Sequence, residues 1–376
     1  MAPWKSCSNL LHKRPFGPRL RERPHVLLSL PAGHEAIAAA SGRRRSVRRS
    51  LARQEGGHQP RSLPLRVTDR STDAGVEPTL PGMTESPAWF RQALSAPRTD
   101  HFVEVAGCPI HYLRWGDRVK PGLILVHGGA AHAEWWSFLA PMLARQYDVV
   151  ALDLSGHGES GRRPEYPRRQ WADEVLAVVA DARFVGAPVL VGHSMGGLVG
   201  IVTASLYGDA LAGAVIVDAP VRKPDPESQE GEAGKSFRNP KIYPTLEEAI
   251  AHFRLVPQQP CENAFILAHV ARTSLRPVQG GFTWKFDPRV FVKFSLEKMS
   301  DYLASTRCRI ALLRGERSVV VPPETGEYMY ELLNRSAPLV EIPEAYHHLL
   351  LDQPLAFVAA VRALLADWEH SVPRGR

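Results

Sequence analysis

Nowhere among the 376 residues do about 18 apolar side chains follow one another, the length that a membrane-spanning helix requires, so no such span is expected. Cysteine is scarce. Cys7, Cys108, Cys261 and Cys308 stand far apart and form no CxxC pair. That excludes a zinc ribbon, a thioredoxin-like redox site and a disulfide scaffold, and it points to idle thiols in a reducing, cytoplasmic setting. No G-x-x-x-x-G-K-[ST] phosphate loop occurs. With no dinucleotide fingerprint and no metal-ligand spacing expected either, the sequence predicts no cofactor and no metal. Glycine and proline, at 29 and 32 residues, are too few for a collagen-like or wholly disordered chain. There is no internal repeat.

Positive charge is confined to one end. Residues 1–82 carry 15 Lys and Arg against six Asp and Glu, whereas the remainder carries 31 against 33. The net charge of +7 is therefore a property of an arm. That arm is rich in Arg, Pro, Gly and Ser and shows no period of 2 or 3.6, so residues 1–85 are expected to be a disordered basic segment. Its apolar pieces at 26–30 and 36–40 are split by Pro31, Gly33, His34 and Glu35, so no continuous signal-peptide core exists. Arg43, Arg44, Arg45, Arg48 and Arg49 resemble a nuclear-import or RNA-binding run. Aromatic interleaving is missing, and no nucleic-acid partner is expected for the folded body. Two further readings of the arm stay open: an organelle transit peptide, and a translation start at Met83 that leaves 1–82 out of the mature protein.

From about Pro87 the pattern changes. A short helix is expected at 88–94, then antiparallel strands at 102–105 and 110–115 joined at Ala106-Gly107. Continuous apolar runs at 123–126, 147–152, 188–191 and 214–217 read as strands buried on both faces. Helical periodicity lies between them at 135–145, 170–182 and 198–207. After an irregular stretch the alternation resumes, with strands at 310–313 and 339–342 and helices at 324–334 and 354–368. Strands alternating with helices predict an α/β fold: a mostly parallel central sheet covered by helices on both faces. The core then comprises 86–220 and 306–376. The irregular stretch, 221–305, is an insertion between two strands, with helices expected at 246–253 and 264–273.

The most informative run is Gly192-His193-Ser194-Met195-Gly196-Gly197. G-x-S-x-G is common by itself. Here an apolar strand precedes it and a helix follows, which is the setting of a nucleophile elbow. Such a turn presents a serine on a strained corner, its flanking glycines let strand and helix approach closely, and the helix N-terminus stabilises negative charge.

With that run, His127-Gly128-Gly129 after the third strand, Asp153-Leu154-Ser155-Gly156-His157-Gly158 after the fourth, and Ala345-Tyr346-His347-His348 near the end, the chain from about residue 100 resembles the α/β-hydrolase family. The resemblance implies a serine hydrolase whose nucleophile is Ser194. A serine hydroxyl needs a base. The family places its histidine in the loop before the last helix, and counting back from Asp352 and Pro354 selects His347, with His348 packed beside it. The acid usually follows the strand at 310–313, but Ser318 and Val319 occupy those positions. Two candidates remain, Asp218 at the end of the preceding strand and Glu316, one residue past Gly315. The resemblance implies an oxyanion hole from the backbone N–H groups of Met195 and Gly129. It also implies that Asp153 to Gly158 is a bracing turn and that 221–305 is a helical cap. Trp135, Trp136 and Trp284 are candidate pocket walls, core packing being the alternative for the first two.

The expected function is hydrolysis of a carboxylic ester of a small or medium apolar substrate. Carbon–carbon or lactone hydrolysis on the same scaffold remains open, as does a non-catalytic binding protein with a disabled triad. A serine at the elbow, rather than an aspartate, argues against haloalkane dehalogenase and epoxide hydrolase chemistry. The expected partner is a small-molecule substrate. The sequence leaves the oligomeric state open.

Overall fold

In a computed structural model, residues 86–223, 237, 240–292 and 298–370 are described. The basic arm lies outside the described residues, as does part of the insertion. Helix α1 (Ala88–Leu94) leads into β1 (Thr99–Val105) and β2 (Cys108–Trp115). These pair antiparallel through a turn in which Ala106 and Gly107 both have positive φ. Then follow β3 (Pro121–Val126), α2 (Ala140–Leu143), β4 (Asp148–Leu152), α3 (Arg168–Ala182), β5 (Val185–His193), α4 (Met195–Tyr207) and β6 (Gly213–Val217). The insertion contributes α5 (Leu246–Ala251), α6 (Ala264–Thr273), the hairpin β7 (Leu275–Val278) and β8 (Gly281–Trp284), and α7 (Met299–Ala304). The chain closes with β9 (Arg309–Gly315), α8 (Pro323–Leu332), β10 (Leu339–Ile342), α9 (Leu349–Asp352) and α10 (Pro354–His370).

Eight strands form one sheet in the order β1-β2-β4-β3-β5-β6-β9-β10. From β4 to β10 every neighbouring pair is parallel. The apolar runs explain this. Along β3, Ile124 and Val126 join the apolar cluster that includes α3 and α4, while Leu123 and Leu125 join the cluster containing Trp136, Phe138 and Phe357. A strand buried on both faces has no polar side to alternate with. Because β3 lies between β4 and β5, the chain turns to opposite sides of β3, and ligands of open α/β sheets bind at such a switch point. Among the described residues, no helix is long and apolar enough to cross a membrane.

Two expectations need correction. The helix expected at 135–145 is broken into a 3-10 turn, Ala133–Trp136, and α2. Pro141 has no N–H to donate and its ring would clash with a helical turn before it, so it starts a new helix. The sequence also does hold a G-x-G-x-x-G spacing, at Gly156, Gly158 and Gly161. It opens no helix. It folds as a turn against Asp153, with the Gly156 N–H donating to the Gly161 carbonyl at 2.8 Å.

Candidate active site

The sharp turn at the end of β5 follows from its glycines. A Cβ on Gly196 would lie 2.5 Å from the His127 carbonyl oxygen, so only glycine lets α4 come this close to the end of β3. Ser194 carries the strain of the corner, at φ 53° and ψ −119°. Its N–H donates to the Val217 carbonyl at 2.8 Å, which ties the corner to β6. Helix α4 begins at the next residue, so the Met195 N–H belongs to the first turn, where backbone donors have no intrahelical partner.

His347 lies buried in the loop between β10 and α9. Its Nδ1 donates to Asp218 Oδ2 at 2.7 Å. Asp218, buried at the end of β6 with φ 47°, receives two more bonds, from Ser318 Oγ at 2.6 Å and the Gly315 N–H at 3.0 Å. Glu316 is not brought to His347. It is exposed, and its carboxylate accepts from the Glu344 N–H at 2.6 Å. The sequence reading missed the part played by Ser318. It occupies the loop where the family's acid usually stands and instead donates to the carboxylate supplied by the neighbouring strand.

The residue before the serine also acts. His193 Nε2 donates to the His347 carbonyl at 2.9 Å, linking the elbow to the histidine loop. Burial, then the charge of His347, push the His193 pKa down to about 3, so its ring is neutral. A Cβ on Gly128 would lie 3.1 Å from His193 Nδ1 and 3.3 Å from Ser194 Cβ, which sets the His127-Gly128-Gly129 loop against the serine. A Cβ on Gly129 would lie 3.1 Å from the Phe291 ring and 3.8 Å from Met195 Sδ, so the two expected oxyanion donors belong to adjoining segments. Asp153 braces that loop from below. Its carboxylate accepts from the Ala133 N–H at 2.6 Å, from the Glu159 N–H at 2.9 Å and from His111 Nδ1 at 2.7 Å. Burial alone would raise its pKa. The bond from His111 and the surrounding histidines overcome that and hold it well below the usual carboxylate range.

The tryptophans divide. Trp136 is fully buried, 6.0 Å from Phe357 between ring centroids, and belongs to the core. Trp135 lies between the histidine loop and the insertion, its ring 5.7 Å from His348 and 6.4 Å from Phe253. Trp284 packs on Phe253 and Tyr243 within the insertion. A stack with no sign in the residue pattern, Phe237 on Phe291 at 4.4 Å, lies beside the Gly129 loop through Phe291. His193, His347 and His348 bring ring nitrogens within 4.8 Å of one another, the one group among the described residues able to hold a metal ion. A tetrahedral zinc with bonds of 2.0–2.1 Å needs nitrogens only about 3.3 Å apart, so the rings would have to close on it.

Comparison with known proteins agrees with this architecture. The profile described as the alpha/beta hydrolase family matches residues 123–361. The chain is 26% identical over 262 residues to esterase Rv0045c of Mycobacterium tuberculosis, covering 68% of this chain and 86% of that one. It is 25% identical over 285 residues to a 2-hydroxy-6-oxo-6-(2'-aminophenyl)hexa-2,4-dienoic acid hydrolase of Metapseudomonas resinovorans, covering 71% of this chain and 91% of that one. Among solved structures, E-2-(acetamidomethylene)succinate hydrolase superposes with a TM-score of 0.63 at 20% identity, over 72% of this chain and all of that one, a likeness of fold.

Proposed function

The chain belongs to the alpha/beta hydrolase family, and from that premise we propose that it is a serine hydrolase acting on a carboxylic ester of a small or medium apolar substrate. One observation carries the reading. The residue before a serine on a strained strand-to-helix corner is hydrogen-bonded to the backbone of a buried histidine, whose Nδ1 lies 2.7 Å from a buried carboxylate.

On this reading Ser194 Oγ attacks the ester carbonyl while His347 Nε2 takes its proton. Asp218 keeps the proton of His347 on Nδ1 and stabilises the imidazolium that forms. The N–H groups of Met195 and Gly129 receive the developing oxyanion, a contribution of about 10²–10³ in kcat for a single donor. His347 returns its proton to the departing alkoxide, leaving an acyl-serine. Water, deprotonated by the same histidine, then releases the acid. The insertion over 221–305 serves as a cap, and its Phe237, Phe286 and Phe291 cluster supplies an apolar wall beside the oxyanion loop. The esterase among the relatives supports the choice of bond.

The test is initial rates on p-nitrophenyl esters of rising acyl length, with Ser194→Ala as control. Turnover that vanishes in the variant, together with fluorophosphonate labelling of the native chain alone, is the expected result. Absence of both labelling and turnover in the native chain would overturn the serine mechanism.

A further inference from the structure

A second cleft, of about 180 Å³, opens at the seam between the turn after β4 and the β7–β8 hairpin. Ser194, His347 and Asp218 do not line it. Its floor is the glycine-rich turn, and its rim carries Arg162, Arg276 and Lys285 against a single carboxylate, Glu159. Lys285 pairs with Glu159 at 2.7 Å. Among the described residues, Arg162 hydrogen-bonds only to a backbone carbonyl, that of Phe286, at 3.4 Å.

Arg276 is left without an ion pair among the described residues, and its buried Nε has no hydrogen-bond partner. A buried donor on a charged group that is left unsatisfied is destabilising. A fold that places it beside two other cations leaves a demand for negative charge and acceptor oxygens. Burial and the charge of Arg162 press the Arg276 pKa downward, against the opposing charge of Glu159.

We propose that this cleft binds a small multi-oxygen anion, a phosphate or carboxylate group, through Arg276, Arg162 and Lys285. Guanidinium groups match the planar pair of oxygens that such an anion presents. The site also spans two segments. The hairpin is joined to the turn by the Gly158 N–H to the Lys285 carbonyl at 2.8 Å and the Asp287 N–H to the Gly156 carbonyl at 2.7 Å. Phe286, between those bonds, packs on Phe291 above the Gly129 loop. A bound anion therefore fastens the hairpin that supports the substrate wall. Its source is either a free anion or the acidic end of the hydrolysed substrate.

The test uses the full chain and inorganic phosphate, with sodium chloride adjusted to hold ionic strength constant. A saturable rise in Tm with phosphate is expected, and Arg276→Gln and Lys285→Gln each weaken the apparent affinity about tenfold or more. Arg162→Gln provides the same readout from the opposite wall if one of those variants fails to fold. No rise beyond that with chloride, or a rise unchanged in the variants, overturns the site. Phosphate that competes with an ester carrying a terminal carboxylate, and not with a neutral one, assigns the cleft to the substrate. Phosphate that raises Tm and competes with neither assigns it to a free anion. The native Tm series is independent of Ser194 turnover, so failure here leaves the hydrolase reading standing, and the reverse holds.

Discussion

Asp218 and Ser318 stand 100 residues apart in sequence, yet they meet on one carboxylate oxygen, the same Oδ2 that receives His347 Nδ1. That convergence gives the proposed mechanism its sharpest residue-level consequence. Asp218→Asn is expected to cut kcat by about 10³–10⁴ while leaving KM within a few-fold, because the amide favours the wrong histidine tautomer. Placing the acid at the position its neighbour now holds, in Asp218→Asn with Ser318→Asp, is expected to recover at least part of that loss. Steady-state rates for the single and double variants check both statements, and a double variant no faster than Asp218→Asn argues against a carboxylate acting from that loop. Ser318→Ala removes one charge-assisted bond, and a loss of about tenfold in kcat is expected with little change in Tm. Had Glu316 been the acid, its removal would be severe. Glu316→Gln is expected to leave activity within about twofold, since that carboxylate is exposed and caps the Glu344 N–H.

At the scale of elements, the elbow depends on one close approach, that of the first turn of α4 to the end of β3. A methyl group on Gly196 falls 2.5 Å from the His127 carbonyl oxygen and cannot be met by a flexible side chain. Gly196→Ala is therefore expected to cost about 1–3 kcal/mol or more in unfolding free energy and to abolish hydrolysis by displacing Ser194 from the oxyanion loop. Urea unfolding alongside p-nitrophenyl ester rates tests this, and a variant with native stability and activity would contradict it. The elbow could be read in the sequence because β5 and α4 announce themselves as an apolar run and a helical period with the serine at their junction. The central strands were legible for the same reason. The β7–β8 hairpin was not: its strands are four residues long and mix Arg276, Pro277 and Thr283 with apolar neighbours, so no period of two emerges. Helix α9 is likewise too short to show periodicity, and Pro141 hid within an otherwise amphipathic stretch. For the site, Ser194 and His347 followed from local pattern. Asp218 stood beside Glu316 as an open alternative, because the choice depends on which strand ends adjoin across the sheet, and β6 and β9 become neighbours only after a long insertion.

Across the whole molecule, histidine rather than carboxylate is expected to govern acid stability. His127, His132, His157, His193 and His348 are all buried, and burial is the leading cause that pushes each below its ordinary value of 6.5. For His157 and His193 the pKa falls to about 3. The unfolded chain then binds more protons than the folded one whenever the pH lies between these depressed values and 6.5. Stability is thus complete above 6.5 and is lost as pH falls below it, at up to about 1.4 kcal/mol per unit for each such histidine. His111 and Asp352 act in the opposite sense. His111, whose pKa is raised by Asp153 and Asp100 against the cost of burial, adds stability that is present below 6.5 and lost as pH rises above its folded value. Asp352, raised by burial to about 6, loses stability as pH rises from its ordinary 3.8 towards that value. His101 and His269 are lowered as well and Glu174 is raised by burial, so the lowered histidines still outnumber the opposing groups and the net is a loss on acidification. A domain stable by about 5–15 kcal/mol does not survive many units of such a slope. The urea midpoint is accordingly expected to fall steeply between neutral pH and about 5 at constant slope. A midpoint that stays level down to about pH 5 would mean that these rings accept protons without unfolding, and therefore that water reaches them in the folded state.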